Sequence, residues 1–259
     1  MERGGAGHPA PFSFVPGGRP NRTGLAHFSS YEPARLPLIP WEHLDTAPIP
    51  GEAGTLRLMR RGTEFSIQLD RNELMNSRLS GSEEALARLS AERIAGLTAP
   101  RVLIGGYGMG FTLRAALSLL PATAQVTVAE IVPAVLAWAR GPMAELTGGS
   151  LDDPRVSIRE ADVAAVIRER PGVWDAILLD VDNGPDGLTR SANDRLYDAA
   201  GLGAARAALR PRGVLAVWSA HPDAAFSRRL AQAGFSVEEV GTRARGKRGA
   251  RHVIWLARR

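Results

Sequence analysis

A glycine-rich turn followed by an acidic residue is the part of this sequence best suited to bind a ligand. The candidate binding residues are Gly106, Gly108 and Gly110, which follow the short apolar segment Val102-Leu103-Ile104. Glycines let a backbone turn sharply and approach a ligand closely. Glu130 stands 20 residues after Gly110, where nucleotide-binding α/β folds place the acid that accepts ribose hydroxyls. The spacing predicts a nucleoside site, and the alternative is a turn that is structural only.

The spacing of the glycines favours one class of nucleoside. A dinucleotide site requires G-x-G-x-x-G, whereas the sequence here is G-x-G-x-G and Phe111 stands at the third glycine position. This pattern disfavours a pyrophosphate ligand such as NAD. We therefore expect S-adenosylmethionine (SAM) or decarboxylated SAM as a co-substrate. Within the turn, the ring of Tyr107 either covers the nucleoside or packs in the core.

Other acidic residues stand where predicted strands end. Asp162 follows the predicted strand Val156–Arg159, and Asp180 and Asp182 follow the apolar segment Trp174–Leu179. In open α/β sheets, ligands bind outside the carboxyl ends of the strands. Asp162, Asp180 and Asp182 are therefore candidate site residues. The alternative for the segment that begins at Asp182 is an Asx-type turn and helix cap.

The elements that position these residues alternate between strands and helices from about residue 99 onward. This alternation predicts an α/β fold with a mostly parallel sheet and an antiparallel last strand. Short alternating segments predict a small β-meander before the nucleotide unit. The expected divisions are a Pro/Gly-rich arm at 1–50 with at least 1–30 disordered, a meander plus helix at 51–98, and a nucleoside-binding domain at 99–259.

Composition excludes several classes of protein. The chain has 259 residues and no cysteine, which excludes disulfides and cysteine metal sites and fits a reducing cytoplasm. Its five histidines show no metal-binding spacing, so no metal is expected. No apolar run is long enough to span a membrane. The N-terminus is rich in Gly and Pro and does not resemble a signal peptide, so we expect a cytoplasmic protein.

The net charge of +5 comes from the C-terminal end of the chain. Residues 243–251 hold five cations and are predicted to form a basic loop between the last two strands. Such a loop suggests nucleic-acid binding as a function of another class. Because no aromatic residues are interleaved and the chain uses arginine almost exclusively, a solvated hairpin loop is the favoured interpretation and nucleic acid is not an expected partner.

Together, these motifs resemble the spermidine synthase-like family of the SAM-dependent methyltransferase fold over about residues 55–259. Val102–Gly106 followed by Thr112-Leu113-Arg114 is similar to the glycine-rich turn of that family, and Glu130-Ile131 is similar to its ribose-binding acid. Asp162 is similar to the acid that holds the adenine amino group. Trp174–Asp180 is similar to the strand that ends in the catalytic aspartate.

The resemblance implies a Rossmann-like fold and a transferase in polyamine biosynthesis. It implies aminopropyl transfer from decarboxylated SAM to a small amine, and a homodimer. Asp180 would accept the proton of the amine and Asp182 would hold the acceptor.

Two departures from the family pattern leave the transferred group open. Met109 stands where the family has an aspartate that holds the donor's ammonium, and Asp180 and Asp182 are one residue closer together than the two acids of the family's D-x-x-D-P motif. The Tyr-His-Glu cluster that lines the family's polyamine site has no clear counterpart near Ser82-Glu83. Because Met109 would not repel a donor that keeps its carboxylate, a SAM-dependent methyltransferase on the same scaffold is the alternative.

Overall fold

The computed structural model describes residues 39–52, 54–70, 72–181, 195–245 and 248–259. Within these ranges the chain forms a four-stranded sheet followed by a seven-stranded sheet with helices on both faces. The order of elements agrees with the predicted α/β fold preceded by a small β-sheet.

The small sheet is an antiparallel meander in the order β1-β2-β3-β4. Its first strand lies within residues 1–50, which the sequence analysis assigned to the arm, so the sheet begins before residue 51. Prolines near both ends of this segment argue against a strand when only the sequence is considered. They are tolerated because β1 is an edge strand. Residues 1–38 lie outside the described residues, and the disordered arm stays a prediction. The strands are β1 Glu42–Pro48, β2 Thr55–Arg61, β3 Glu64–Leu69 and β4 Asn72–Asn76.

The large sheet has the order β10-β11-β9-β8-β5-β6-β7. Strands β5 to β9 pair in parallel, and β11 pairs antiparallel with both β9 and β10. The predicted mostly parallel sheet with an antiparallel last strand is therefore confirmed. The strands are β5 Arg101–Gly105, β6 Gln125–Glu130, β7 Val156–Glu160, β8 Trp174–Leu179, β9 Leu209–Ser219, β10 Ser236–Arg245 and β11 Arg248–Arg258.

Helices cover both faces of the large sheet because its central strands are apolar on both sides. Every residue of β8 is buried, and in β5 Val102 and Ile104 face one hydrophobic cluster while Leu103 faces the other. The first cluster includes residues of α1, α2 and α3, and the second includes residues of α5, α6 and α7. The helices are α1 Gly81–Arg93, α2 Phe111–Leu119, α3 Pro133–Arg140, α4 Ala144–Thr147, α5 Val163–Arg168, α6 Ala199–Ala208 and α7 Ala224–Gln232.

The prediction of a basic loop at residues 243–251 is wrong for most of that segment. Arg243 pairs with Arg251, and β10 and β11 continue as a two-stranded ribbon as far as the pair Arg245 and Arg248. Pairing between β11 and β9 begins only at Val253. The ribbon thus extends beyond the strands that pair with β9, and its residues lack the alternation of apolar residues that reveals a strand.

The turn after β5 brings two chain segments into close contact. The backbone N–H of Asp180, just after β8, donates to the carbonyl oxygen of Gly105 at 3.0 Å. The next residue, Gly106, has a φ of +84°, and a Cβ atom there would lie 2.4 Å from the carbonyl oxygen of Asp180. Only glycine fits this conformation at this distance. The glycine turn is therefore held against the end of β8.

Substitution of Gly106 should show how strongly the fold depends on this approach. Gly172 is a matched control, since its φ is +63° and a Cβ there meets no atom within 4 Å. Gly172→Ala should cost roughly 1–2 kcal/mol for the left-handed backbone alone. Gly106→Ala should cost about 2 kcal/mol more, because the methyl group displaces a backbone carbonyl. Urea denaturation measures both values, and equal losses in the two variants would contradict this account.

Candidate functional site

A cavity lies at the carboxyl ends of the parallel strands, where the candidate residues were expected. It contains about 810 Å³ of empty space, counting its open mouth. One wall consists of the turn and strand-end residues Gly106, Gly108, Glu130, Asp162 and Asp180. The opposite wall is apolar and comes from the small sheet and the loop after β1; its residues are Ile49, Leu56, Ile67, Leu69, Leu74 and Met75. A ligand in this cavity would lie between the two sheets.

Glu130 ends β6 and fixes the shape of the glycine turn. One of its carboxylate oxygens accepts the backbone N–H of Tyr107 at 2.9 Å, and the other accepts that of Val132 at 2.8 Å. Burial raises the pKa of Glu130, and these backbone N–H groups act in the opposite direction. Each oxygen keeps lone pairs for another donor. The carboxylate is thus oriented and still able to accept hydroxyl groups of a ligand in the cavity.

Asp162 caps the helix that follows β7. Its Oδ1 accepts the backbone N–H of Ala164 at 2.8 Å, as an N-cap residue does. Among the described residues its second oxygen has no hydrogen-bond partner, and Asp162 lines the cavity. The residue therefore combines a structural role with an acceptor that a ligand amino group could use.

Asp180 follows β8, contacts the glycine turn and lines the cavity. The hydroxyl of the buried Thr112 donates to its Oδ2 at 2.7 Å. Burial and the nearby charge of Glu83 raise the pKa of Asp180 to about 7, and the hydrogen bond from Thr112 opposes this shift. A carboxylate with such a pKa can accept a proton at neutral pH and release it again.

Two residues of the glycine turn, Tyr107 and Gly110, pack against each other within the protein. The Tyr107 ring is buried, and its hydroxyl lies 3.2 Å from the hydroxyl of Ser150. A Cβ at Gly110 would lie 2.7 Å from the Tyr107 hydroxyl, and Gly110 is the N-cap of α2 with a φ of +77°. Neither residue is among those that line the cavity. Of the two alternatives for Tyr107, the structure thus favours packing.

Asp182 falls outside the described residues, so its role stays a prediction. Met109, by contrast, is described and is 2% exposed within the hydrophobic core. It is not among the residues that line the cavity. Among the described residues, the carboxylates that line the cavity are those of Glu130, Asp162 and Asp180.

Sequence reasoning missed three polar residues around Asp180, namely Ser82, Glu83 and Thr112. Ser82 and Glu83 begin helix α1, and Thr112 lies in the first turn of α2. Burial is the main cause of a raised pKa at Glu83. The only signal in the sequence was the acidic start of a helix, which the helix dipole explains without any site.

The described residues show neither a metal-binding cluster nor a membrane-spanning helix. They contain no group of three or more His, Cys, Asp or Glu side chains that could hold a metal ion. In the same part of the chain, no helix is both long enough and apolar enough to cross a membrane.

Comparison with known proteins gives a consistent set of relatives. The chain is 35% identical over 123 residues to polyamine aminopropyltransferase 1 of Streptomyces coelicolor, and 32% identical over 124 residues to the polyamine aminopropyltransferase of Mycobacterium tuberculosis. Each alignment covers 47% of this chain but only 22% and 23%, respectively, of those proteins. No protein-family model matches the chain.

The fold is similar to that of solved spermidine synthases. The structure of spermidine synthase from Thermotoga maritima matches with a TM-score of 0.68 and 19% identity, covering 83% of this chain and 72% of that one. A spermidine synthase in complex with the transition-state analogue AdoDATO matches with a TM-score of 0.66 at 19% identity, over 83% of this chain and 72% of that one. The resemblance seen in the sequence motifs is confirmed: about half of the chain is similar in sequence to polyamine aminopropyltransferases, and its fold is similar to that of spermidine synthases.

Proposed function

We propose that the chain is a transferase that moves an alkyl group from a sulfonium nucleoside to an amine. The donor that we propose is decarboxylated SAM, and the transferred group is its aminopropyl group. The observation that carries this proposal is the convergence of Glu130, Asp162 and Asp180 on one cavity behind the glycine turn. The printed names of the relatives, polyamine aminopropyltransferases and spermidine synthases, support the same activity.

The residues of the cavity fit a nucleoside. In this proposal the Glu130 carboxylate, oriented by the backbone N–H groups of Tyr107 and Val132, accepts hydrogen bonds from the ribose hydroxyls. Asp162 accepts a hydrogen bond from the amino group of the base, through the carboxylate oxygen that does not cap α5. Gly106 and Gly108 have no side chain to fill the space between these acids, and Met75 packs close to Gly108 from the small sheet.

Asp180 is the residue that we assign to the chemistry. The donor supplies a carbon made electrophilic by the sulfonium. Alkylamines are protonated at neutral pH, because their pKa is near ~10. Asp180 binds the ammonium and accepts one proton, which frees the nitrogen lone pair to form the new C–N bond. The C–S bond breaks with its electron pair going to sulfur. Alignment of the two reactants contributes ~7–11 kcal/mol at best.

The alternative donor is SAM itself, with transfer of a methyl group. The observation that favours it is the buried Met109, since no acid occupies the position where the family binds the donor's ammonium. Asp180 would serve as base for either transfer. The two reactions therefore differ in the donor that is consumed, and not in the residue that accepts the proton.

A product assay tests the proposed function. The purified chain is incubated with decarboxylated SAM or SAM and a panel of short monoamines and diamines, and products are identified by mass spectrometry. We expect aminopropylated amines. Methylated amines would replace the aminopropyl proposal by the alternative, and no transfer from either donor to any amine would contradict the proposed activity.

Substitution of Asp180 tests whether its carboxylate is the general base that deprotonates the amine. Asp180→Asn should lower kcat about 10²-fold, the lower end of the range for a general base, while nucleoside affinity is retained because Asn keeps the shape of the side chain. Asp152→Asn is the matched control, since Asp152 is exposed and forms only a surface ion pair with Arg140. An Asp180→Asn variant with the wild-type rate would refute the assignment.

Titration of the Asp180 carboxyl tests the electrostatics of the site. A carboxyl whose pKa is about 7 is protonated below that pH and ionised above it, so activity should rise as pH increases through about 7. Glu83→Gln removes a charge that raises this pKa, and the NMR midpoint of the Asp180 carboxyl should move to lower pH. Glu92→Gln, an exposed residue on the same helix, should leave the midpoint in place. A midpoint that is equal in wild type and Glu83→Gln would contradict the coupling.

A further inference from the structure

A chain of hydrogen bonds connects Glu83 of α1 to His252 of β11 through the hydroxyl of Ser82. The Ser82 hydroxyl donates to Oε2 of Glu83 at 2.7 Å, and Nδ1 of His252 lies 2.9 Å from the same hydroxyl oxygen. A serine hydroxyl has only one hydrogen to donate. When Glu83 is ionised and receives that hydrogen, His252 must be the donor in the second bond, with its proton on Nδ1.

The surroundings of His252 fix its ring. His252 lies on β11 opposite Thr242 of β10, and its ring contacts the Trp218 ring edge to face at 4.9 Å. The indole N–H of Trp218 and the hydroxyl of Thr242 are buried and have no partner among the described residues. Register places both side chains on the face of His252 that α1 covers.

The charged groups near His252 are few. Glu83 reaches it from α1 through Ser82, and His221 faces it from the segment after β9. Arg243 and Arg251 flank it in the ribbon, but side chains of successive strand residues point to opposite faces. Burial and His221 lower the pKa of His252, so the ring is neutral at neutral pH. It can then act as a hydrogen-bond donor without adding a charge.

The Glu83 carboxylate has one hydrogen bond to another side chain among the described residues, the one from Ser82. Its backbone carbonyl lies 3.4 Å from the Thr112 hydroxyl that donates to Asp180, so the start of α1 is in direct contact with the site. The charge of Glu83 raises the pKa of Asp180, so the two carboxylates repel each other. An ammonium ion between them would be attracted to both. Joint binding by the two carboxylates requires that the Glu83 side chain keep one orientation.

We propose that His252 is a positioning residue which, through Ser82, holds the Glu83 carboxylate beside Asp180, so that the two carboxylates together bind the ammonium of the acceptor. The inference rests on the proposed transfer to an amine and adds a second carboxylate to the acceptor site. His252 touches neither substrate; it acts through Ser82. In this proposal, two negatively charged side chains bind the single positive charge of the attacking nitrogen.

Two substitutions at His252 separate positioning from packing. His252→Phe keeps a ring against Trp218 but removes the donor to Ser82, whereas His252→Asn keeps a donor in place of Nδ1. His252→Phe should raise the KM for the acceptor amine about tenfold, equivalent to roughly 1.4 kcal/mol, with nucleoside affinity unchanged. His252→Asn should restore a KM near that of the wild type. His43→Phe, at an exposed histidine of β1, is the matched control and should have no effect.

The NMR midpoint of the Asp180 carboxyl is the second readout and does not depend on turnover. In His252→Phe and in Ser82→Ala it should move to lower pH, because the Glu83 charge is no longer held nearby. The double variant should show no further shift, since both changes break the same chain. An unchanged midpoint and an unchanged acceptor KM in His252→Phe would overturn the proposal. If the wild-type chain transfers no group to amines, the proposed function fails, while the midpoints still test the positioning.

Discussion

The site depends on the contact between the turn after β5 and the end of β8. Gly106 passes so close to the carbonyl of Asp180 that no side chain fits, and the Asp180 N–H bonds the carbonyl of Gly105. This contact fixes the backbone of Asp180 with respect to the glycine turn. Glu130 fixes the other end of the turn by accepting the N–H of Tyr107. Three parallel strands thus set the positions of Glu130 and Asp180, which we propose as the nucleoside-binding acid and the base.

The same constraint explains why charge accumulates at one place. Parallel strands bring their carboxyl ends to one edge, and α1 adds Glu83 to the acids that the strands contribute. Burial makes each charge costly. The raised pKa of Asp180, of Glu83 and of Glu130 has burial as its main cause in every case. A cationic amine would offset this repulsion at Asp180 and Glu83, whereas neutral ribose hydroxyls suit the N–H-bound Glu130.

Much of the fold could be predicted from the sequence because its strongest signals are local. The apolar segment Trp174–Leu179 and the glycine turn after Ile104 identify β8 and the nucleotide unit by composition alone. Strand β1 and the ribbon of residues 243–251 were missed because an edge strand between prolines and a two-stranded ribbon beyond the pairing with β9 carry no apolar alternation.

The site was predictable where one residue follows one strand, and less so where distant segments meet. Glu130, Asp162 and Asp180 end or follow strands and line the cavity as expected. The grouping of Ser82 and Glu83 with His252 depends on the packing of α1 on β11, across a separation of 170 residues between Ser82 and His252. No local sequence pattern indicates such a contact. The buried ring of Tyr107 likewise packs in the hydrophobic core beneath the turn, which the sequence does not reveal.

The most direct test of this account is a calorimetric titration of the full chain with decarboxylated SAM and with SAM. We expect decarboxylated SAM to bind the wild type and the Glu160→Gln variant alike, since Glu160 is exposed on the neighbouring strand β7. Glu130→Gln should weaken binding about tenfold or more, equivalent to roughly 1.4 kcal/mol. Binding of neither nucleoside to the wild type, or equal binding to the Glu130→Gln variant, would contradict the claim that the glycine turn and Glu130 form a sulfonium nucleoside site.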